Sequence, residues 1–596
     1  MSKLLQKYLP LALFVVIANF IFLAFYQDLL VTINLRTPFL ADRLFFDELM
    51  KEPFGLMRWV GCWLSQFCYY PIAGTVVYAV IWALSYIIGI KAVGIPSKWS
   101  ALMMLPFTCL FVGVVGIGYW IYILKDFGYF FSQSVSLLLM LSALCVARKL
   151  FAGLKYSSAI LLLLCFVLYP LIGWQSVLMA LCLLPSELKA KRLKALALLA
   201  AFAIPLFYQH TFYTDCSPEM VWGAGFPVFD DQSKFHIRQS VPYILLALIM
   251  ILLSAFSAVY KPNESIEVVN KKKETYTYYI FTLAVTAIVF GCIWQFMFKD
   301  YNYLMEMRMT RAALNSDWQS IISDAQKSKH ISRNMVLLKN IALMNTGQLG
   351  DRSFELNNDG LDIYNPENLS VRAMHIVSPI VYYNYGKINY SVRWCHENAV
   401  VYGYSPFYLM CLAQSLWATG EAKMAKRYTD MLRGNMFFSD WMPQPVTELV
   451  KELNAAFANV LDTDSNNCER FVIENFSQSY ESQWAAVKEL SLFNSLLFGS
   501  PNYFWKAFVS YASINPTAVL PLHYQEAYCL FAEEAPVELP FKPRIEENTL
   551  NRYVEFRRQF VMLQEAGQSD ASIKNSMRKQ WGRTYWWHRY FGRNKY

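Results

Sequence analysis

Residues Tyr243–Leu253 read YILLALIMILL, and this unbroken apolar run decides the fold of the first half of the chain. Ile160–Leu168, which reads ILLLLCFVL, is a second run of the same kind, and similar runs recur between Leu9 and Phe298. From Asp300 onward no run is long enough to cross a bilayer core, which needs about 20 mostly apolar residues. The sequence therefore predicts an all-α protein whose first half is a transmembrane helical bundle and whose second half is soluble.

Composition supports this division into a bundle over residues 1–298 and a soluble domain over residues 299–596. The 596 residues are 56% hydrophobic and only 16% charged, whereas charged residues make up roughly 25% of an ordinary soluble domain. The net charge is +9, but Lys and Arg are spread along the chain rather than gathered into one basic stripe. We therefore expect membrane lipids as partners and no nucleic acid.

The apolar runs predict nine spans, of which the sixth and seventh are short. The predicted spans are Leu9–Tyr26, Ile72–Ile90, Trp99–Gly118, Phe130–Val146, Ser157–Leu171, Gln175–Pro185, Ala195–Phe207, Val241–Tyr260 and Tyr278–Phe298. Loops on the amino-terminal side carry 15 Lys and Arg in 51 positions, and the opposite loops carry seven. The positive-inside rule thus predicts a cytoplasmic amino terminus, and an odd number of spans places the soluble domain outside the cytoplasm.

The cysteine and histidine pattern predicts no structural metal site. The chain holds 12 Cys and 7 His, but it contains neither a CxxC pair nor an HExxH motif. Five of the cysteines lie inside predicted spans, where Cys commonly serves as a small apolar filler.

The second half shows a pattern of paired helices that is clearest over residues 330–445. In Leu409–Leu432, small residues stand where two antiparallel helices would cross, with Gly420 in the turn between them. Weaker copies centre on Gly386 and Gly347, so the glycines repeat with a spacing close to the ~34 residues of tetratricopeptide (TPR) repeats. This predicts a TPR-like domain, and the alternative is a helical bundle without true repeats.

Two external loops are long and rich in acidic residues. The loop 27–71 contains an amphipathic stretch around Asp47 and Glu48 that is expected to lie flat in the membrane interface. The loop 209–240 carries several acids and is irregular because of Gly223, Gly225 and Pro227. Any chemistry is expected in these loops, since helical repeats usually bind other chains and seldom carry catalysis.

The paired acids Asp47 and Glu48 in the first external loop resemble the acidic pair that many GT-C glycosyltransferases carry in their first external loop. Those enzymes use sugars linked to polyprenyl phosphate. The resemblance implies that Asp47, supported by Asp42 or Glu48, takes the proton of the acceptor hydroxyl. Cations are needed for the departing phosphate, and the external candidates are Arg36, Arg58, Lys125, Lys234 and Arg238. The second acidic loop contributes Asp215, Asp230, Asp231 and His236. The Asp230-Asp231 pair could bind a divalent cation or cap a turn, and each of these charges has the alternative of a solvated loop residue or a headgroup contact.

A second resemblance spans the whole chain. The segments FDELMKEPFGLMRWVGCWLSQFCYYP (46–71), LPLHYQEA (520–527) and GRTYWWHRYFG (582–592) are similar to a family of uncharacterised membrane proteins from Bacteroidota. This resemblance implies a Gram-negative inner membrane and a periplasmic carboxy-terminal domain. It brings no activity with it. The aromatic tail is expected to pack as a terminal helix on the last repeat, and docking on the membrane surface is its alternative.

Two functional hypotheses follow. In the first, the membrane half is a GT-C-like transferase in cell-envelope glycan assembly, and the helical domain positions a glycan or protein acceptor. In the second, the protein is a non-enzymatic, membrane-anchored TPR-like scaffold that recruits periplasmic partners. A scaffold needs neither nine spans nor two long acidic loops, so the sequence favours the transferase.

Overall fold

The computed structural model describes residues 3–150, 157–188, 200–230, 237–260, 271–328, 331–356, 358, 373–458 and 468–592. Over these residues the chain is helical and contains only isolated β-bridges, which confirms the all-α prediction. The chain forms two compact units. The amino-terminal unit comprises Met1–Asp300 together with two later segments, Val400–Phe407 and Met431–Asp440, and the carboxy-terminal unit comprises the rest.

The first half of the chain contains long helices joined by short ones. Its α-helices are α1 (Lys3–Phe25), α2 (Gln27–Arg36), α3 (Arg43–Met50), α4 (Gly55–Ser65), α5 (Pro71–Val93), α6 (Met104–Val115), α7 (Tyr129–Leu150), α8 (Ser157–Ile172), α9 (Trp174–Leu188), α10 (Ile204–Thr211), α11 (Pro218–Trp222), α12 (Ile237–Val259) and α13 (Lys271–Phe296). Short 3-10 helices cover Gln66–Tyr69, Ser97–Met103, Gly118–Ile123 and Ala200–Ala203.

Six helical stretches among the described residues are long and apolar enough to cross a membrane. They are Lys7–Phe25, Pro71–Val93, Ser97–Val115, Tyr129–Lys149, Gln239–Val259 and Tyr276–Phe296. The predicted fifth and sixth spans correspond to shorter apolar helices, Ile160–Ile172 and Trp174–Leu183. The predicted seventh span, 195–207, lies partly outside the described residues. Several apolar helices are thus present, as expected of a membrane protein, and the count of nine stays a prediction.

Helix α5 shows how this unit is packed. One face buries Tyr78 and Trp82, whose polar atoms donate to the Phe130 carbonyl at 2.8 Å and to Ser134 Oγ at 3.1 Å on α7. Another face leaves apolar side chains exposed at every fourth residue, at Ile72, Val76, Val80 and Leu84. A regular stripe of exposed apolar side chains is unfavourable in water and is compatible with a helix that faces lipid.

From Tyr301 onward the helices are shorter. They are α14 (Tyr301–Leu314), α15 (Trp318–Lys327), α16 (Arg333–Asn345), α17 (Leu349–Arg352), α18 (Ala373–Ile376), α19 (Ser378–Asn384), α20 (Ile388–Tyr402), α21 (Pro406–Ala418), α22 (Ala422–Arg433), α23 (Glu448–Phe457), α24 (Cys468–Ser477), α25 (Ala485–Phe498), α26 (Pro501–Ala512), α27 (Leu522–Glu534), α28 (Glu547–Glu565), α29 (Asp570–Trp581) and α30 (Tyr585–Phe591).

The three glycines of the repeat pattern occupy equivalent places in this half. Gly347 lies between α16 and α17, Gly386 between α19 and α20, and Gly420 between α21 and α22. Their φ angles are 66°, 72° and 82°. This left-handed conformation is common after a helix end and costs glycine little, because glycine has no Cβ. The glycines therefore end one helix and allow the next to fold back.

The aromatic tail packs inside the carboxy-terminal unit through a buried carboxylate. Glu526 Oε2 accepts a hydrogen bond from the Tyr585 amide at 2.8 Å and lies 2.9 Å from His523 Nδ1. The Glu355 amide donates to His523 Nε2 at 3.2 Å, so that nitrogen is unprotonated and Nδ1 carries the proton. The Trp586 indole donates to the Glu526 carbonyl at 2.7 Å. The tail is thus a terminal helix fixed on α27.

Candidate functional site

The acids predicted in the first loop lie on the short helix α3. Asp42 caps the helix and accepts from the Phe45 amide at 2.7 Å. Asp47 pairs with Arg43 at 3.3 Å, and Glu48 pairs with Lys51. All four members of these pairs are exposed, and solvent screening leaves such surface pairs little effect on stability. The structure thus gives Asp42 a capping role and pairs Asp47 and Glu48 with cations of α3 and its carboxy-terminal end.

A buried ionic cluster lies next to this helix. The Arg58 guanidinium on α4 donates to Asp126 Oδ1 at 2.7 Å and also contacts Glu52. Asp126 and Arg58 are buried, and Glu52 is partly exposed. Burial raises the pKa of Asp126 to about 6, although the charge of Arg58 opposes the rise. Arg58 was predicted to bind phosphate, but its charge is already balanced by two carboxylates, so we assign it to holding the loops together.

Close backbone packing surrounds the cluster. Gly128 has φ 69°, and a Cβ there would lie 2.2 Å from the Arg58 carbonyl oxygen and 2.5 Å from the Cys62 amide. Only glycine permits such an approach between the loop that contains Gly128 and α4. Within the described residues, Asp126 Oδ2 is buried without a hydrogen-bond partner. The Asp126 carboxylate in this cluster therefore has one oxygen atom, Oδ2, that can bind a proton.

Two other predicted residues, Lys125 and Asp230, form an ion pair that is partly open to solvent. Lys125 Nζ lies 2.7 Å from Asp230 Oδ1, and the two side chains are 41% and 43% exposed. The backbone fixes this pair, because the Lys125 amide donates to the Val228 carbonyl at 2.9 Å and the Asp230 amide donates to the Ile123 carbonyl at 2.8 Å. The loops that carry Lys125 and Asp230 therefore meet through a short antiparallel bridge between Leu124 and Phe229.

The segment Val400–Phe407 completes this part of the unit. The Tyr402 hydroxyl donates to Asp230 Oδ2 at 3.0 Å. The guanidinium carbon of Arg36, at the end of α2, lies 3.7 Å from the centre of the Phe407 ring and 4.9 Å from that of Tyr122. Such cation–π contacts hold a guanidinium in place. Arg36 therefore packs on a ring three residues before Lys125 and on a ring five residues after Tyr402, which donates to Asp230.

The residues that follow α3 also contact the region 209–230 directly. Cys216 Sγ lies 3.8 Å from the Lys51 carbonyl oxygen. Gly225 has φ 95°, and a Cβ there would lie 3.2 Å from the Phe54 ring. The Phe54 amide in turn donates to the Pro170 carbonyl at 2.8 Å. The loops that the sequence marked as acidic thus converge at one end of the helical bundle.

The remaining predicted residues are not brought into this arrangement. Asp215 lies in an exposed turn, with its carboxylate 3.5 Å from Thr214 Oγ1. Asp231, Lys234 and His236 lie outside the described residues, and Arg238 lies in the first turn of α12 with its side chain undescribed. Among the described residues no group of three His, Cys, Asp or Glu could hold a metal ion. The divalent cation considered at Asp230-Asp231 is therefore left untested.

Sequence reasoning missed Tyr402, Phe407, Tyr122 and Asp126. Tyr402 lies 172 residues from its partner Asp230, and nothing in the local pattern of either segment indicates this contact. Asp126 is a single acid in a short loop, and its only signal was a carboxylate beside apolar spans.

No curated protein and no solved structure shows significant similarity to the chain. The resemblance noted above on the first loop and the aromatic tail is instead explained by a family assignment that covers nearly all of the sequence. The chain belongs to the family described as Family of unknown function (DUF6057), which it matches over residues 3–592.

Proposed function

We propose that the amino-terminal unit is a GT-C-like glycosyltransferase that takes a sugar from a polyprenyl-phosphate carrier during assembly of a cell-envelope glycan. The observation that carries the proposal is the Lys125–Asp230 ion pair, together with Arg36 held on the Tyr122 and Phe407 rings, in a unit rich in apolar helices. Two cations and a partly exposed carboxylate are the groups that the reaction needs beside a lipid surface.

Each residue has a separate role in the proposed reaction. The acceptor oxygen bonds to the anomeric carbon while the bond from that carbon to the phosphate oxygen breaks with its electron pair, and the acceptor proton passes to Asp230. Lys125 and Arg36 stabilise the negative charge of the departing phosphate. Tyr402 positions the carboxylate through its hydrogen bond to Oδ2. This assignment moves the proposed base from Asp47 to Asp230, because Asp230 is a partly exposed acid that pairs with a cation from another loop, whereas Asp47 pairs within its own helix.

The Asp230→Asn variant tests this role. The full-length protein in liposomes is given a panel of polyprenyl-phosphate-linked hexoses, and release of polyprenyl phosphate is measured with and without glycan acceptors. Loss of a general base lowers the rate by about 100-fold or more, so Asp230→Asn is expected to be nearly inactive. The matched control is Asp215→Asn, an exposed acid earlier in the same loop, which is expected to keep the wild-type rate.

Two results would contradict this assignment. Normal activity of Asp230→Asn would remove the base, and loss of activity in Asp47→Asn alone would return the role to α3. The absence of release from every carrier tested would count against the transferase itself.

We further propose that the protein lies in the inner membrane with its amino terminus in the cytoplasm and residues 299–596 in the periplasm. Six long apolar helices, two shorter ones and the segment 195–207 support an odd number of crossings. A reporter enzyme that is active only outside the cytoplasm, fused after Tyr596, is expected to be active. An inactive reporter with normal abundance would indicate an even number of crossings.

A cleft in the carboxy-terminal unit supports the second candidate function, a TPR-like scaffold that binds a periplasmic protein or glycan. Trp318, Trp441 and Tyr383 line the cleft together with the amides of Gln414 and Gln444. None of the described residues that line it is charged. Aromatic rings and amides without charge favour a neutral partner, such as a glycan or an uncharged peptide segment.

Complementation of a deletion strain separates the two functions. If the protein acts only as a scaffold, Trp318→Ala is expected to lose the wild-type envelope glycan pattern, and Asp230→Asn is expected to retain it. The matched control is Gln319→Ala, because Gln319 is the exposed neighbour of Trp318 in the sequence. The reverse pattern would favour the transferase.

A further inference from the structure

The segment Met431–Asp440 lies far along the sequence from the membrane helices but belongs to the amino-terminal unit. Its backbone is held by Gln66, whose Oε1 accepts a hydrogen bond from the Met436 amide at 2.7 Å. Gln66 is buried, and the nitrogen of its side-chain amide donates to the Trp63 carbonyl at 3.3 Å. A buried amide that binds backbone on both sides fixes the position of the segment.

Aromatic contacts also hold the segment Met431–Asp440 against the residues that precede α5. The Phe437 ring stacks on Tyr69 with a centroid distance of 5.5 Å and an interplanar angle of 15°. It also meets the edges of Tyr70 at 5.4 Å and Phe67 at 6.1 Å. Phe438 is buried and packs on Tyr69 in an edge-to-face arrangement, with a centroid distance of 5.3 Å. The segment therefore lies beside Tyr69 and Tyr70.

Tyr69 and Tyr70 lie at the amino-terminal end of the apolar helix α5. Tyr70 directly precedes Pro71, the first residue of α5, and the exposed apolar stripe of α5 begins at Ile72. Tyr and Trp are enriched where a membrane helix leaves the hydrocarbon core, because one end of each ring is apolar and the other is polar. Phe437 stacks on residues that stand at this boundary.

We infer that Met436 and Phe437 form an interfacial anchor that contacts lipid at the boundary between headgroups and acyl chains. Met436 is 45% exposed, and the nearby exposed side chains Trp63, Tyr70 and Ile72 are also apolar or amphipathic. This surface is continuous with the exposed stripe of α5, which supports lipid as its occupant rather than a protein. The inference rests on the proposed membrane location but not on the proposed chemistry.

Spin-label accessibility tests the anchor. The full-length Met436→Cys variant in lipid nanodiscs is labelled with a nitroxide, and collision rates with oxygen and with a water-soluble nickel complex are measured. Labelled wild-type protein provides the background of the native cysteines. The matched control is Met562→Cys, since Met562 is 59% exposed on α28 among Arg and Glu residues.

Oxygen concentrates in the acyl region and the nickel complex stays in water. The ratio of oxygen to nickel collisions at position 436 is therefore expected to exceed that at position 562 several-fold. Equal ratios would place Met436 in water and overturn the inference. Low collision rates with both reagents would mean that protein covers the segment, which also overturns it. Neither result depends on glycosyl transfer, so failure of the anchor and failure of the enzyme are separate outcomes.

Discussion

Replacing Arg58 with Met should destabilise the protein by an amount that depends on pH. Arg58 and Asp126 are both buried, and the guanidinium is the main group that balances the Asp126 charge. Removing one member of a buried ion pair costs about 3–5 kcal/mol, because the other charge is left in a medium of low dielectric. The pKa of Asp126 indicates where in this range the cost should fall.

The carboxyl of Asp126 can avoid part of the penalty by taking a proton. Its pKa is about 6 against an ordinary value of 3.8, so keeping it ionised at pH 7 already costs about 3 kcal/mol in the wild type. Without Arg58 the pKa of Asp126 rises further. The free-energy cost of burying this group at pH 7 then reaches a limit of about 4 kcal/mol, because the carboxyl takes up a proton. The hydrogen bond from Arg58 already lowers the wild-type pKa, so it is not added again, and the pH-dependent part of the cost is about 1 kcal/mol at pH 7. Because proton uptake limits the cost in this way, we expect the total destabilisation at pH 7 to lie at the low end of the range, at about 3 kcal/mol.

The sign of the pH dependence follows from the raised pKa. Between pH 3.8 and 6 the folded protein holds the Asp126 proton more tightly than the unfolded chain, so stability from this group is present at low pH and is lost as pH rises. In Arg58→Met the pH range over which this stability is lost extends further upward, because the pKa of Asp126 is higher. The gap in stability between variant and wild type should thus be largest near pH 7 and about 1 kcal/mol smaller near pH 4.

Thermal unfolding of the full chain in detergent, followed by tryptophan fluorescence at both pH values, measures this gap. The double variant Arg58→Met/Asp126→Leu is the control, since replacing a buried ion pair by apolar side chains is often neutral or stabilising. It is expected to unfold near the wild-type temperature. A single variant as stable as wild type at both pH values, or a double variant less stable than either single one, would refute the reasoning.

Three other substitutions have defined outcomes in the same unfolding assay. Burial lowers the pKa of His588 to about 3, so the contribution of this group to stability should fall as pH drops below about 6.5, and His588→Phe should lose less stability than the wild type over that range. Glu526→Gln removes the charged acceptor of His523 and should cost about 1.5–3 kcal/mol, and an unchanged midpoint would show that the charge is unimportant. Gly403→Ala should destabilise more than Gly420→Ala. Both have positive φ, but only at Gly403 would a Cβ meet another side chain, at 2.7 Å.

Local features of this chain follow from local sequence. The apolar runs predicted the long helices at 71–93 and 239–259, because burial of a helix in lipid requires only that its own side chains be apolar. The turns at Gly347, Gly386 and Gly420 were also predictable, since a helix end and a positive φ depend on a few neighbouring residues. Whether these helix pairs are true repeats stays a prediction.

The candidate site could be predicted only in part. The sequence marked Arg36, Lys125 and Asp230 as external charges, but it marked Asp47 and Arg58 in the same way. Composition cannot distinguish a charge that pairs within its own helix, such as Asp47, from one that faces another loop, such as Asp230. That distinction depends on how the loops pack.

By itself, the sequence determined that the protein is all-α, that its first half is rich in apolar helices, and where acidic and basic residues stand along the loops. Tertiary structure decided which of them meet. Arg58 finds Asp126 across 68 residues, Tyr402 finds Asp230 across 172, and Gln66 binds Met436 across 370. The period of a helix is set by bonds within about four residues, whereas these contacts are set by which surfaces of the folded chain come together.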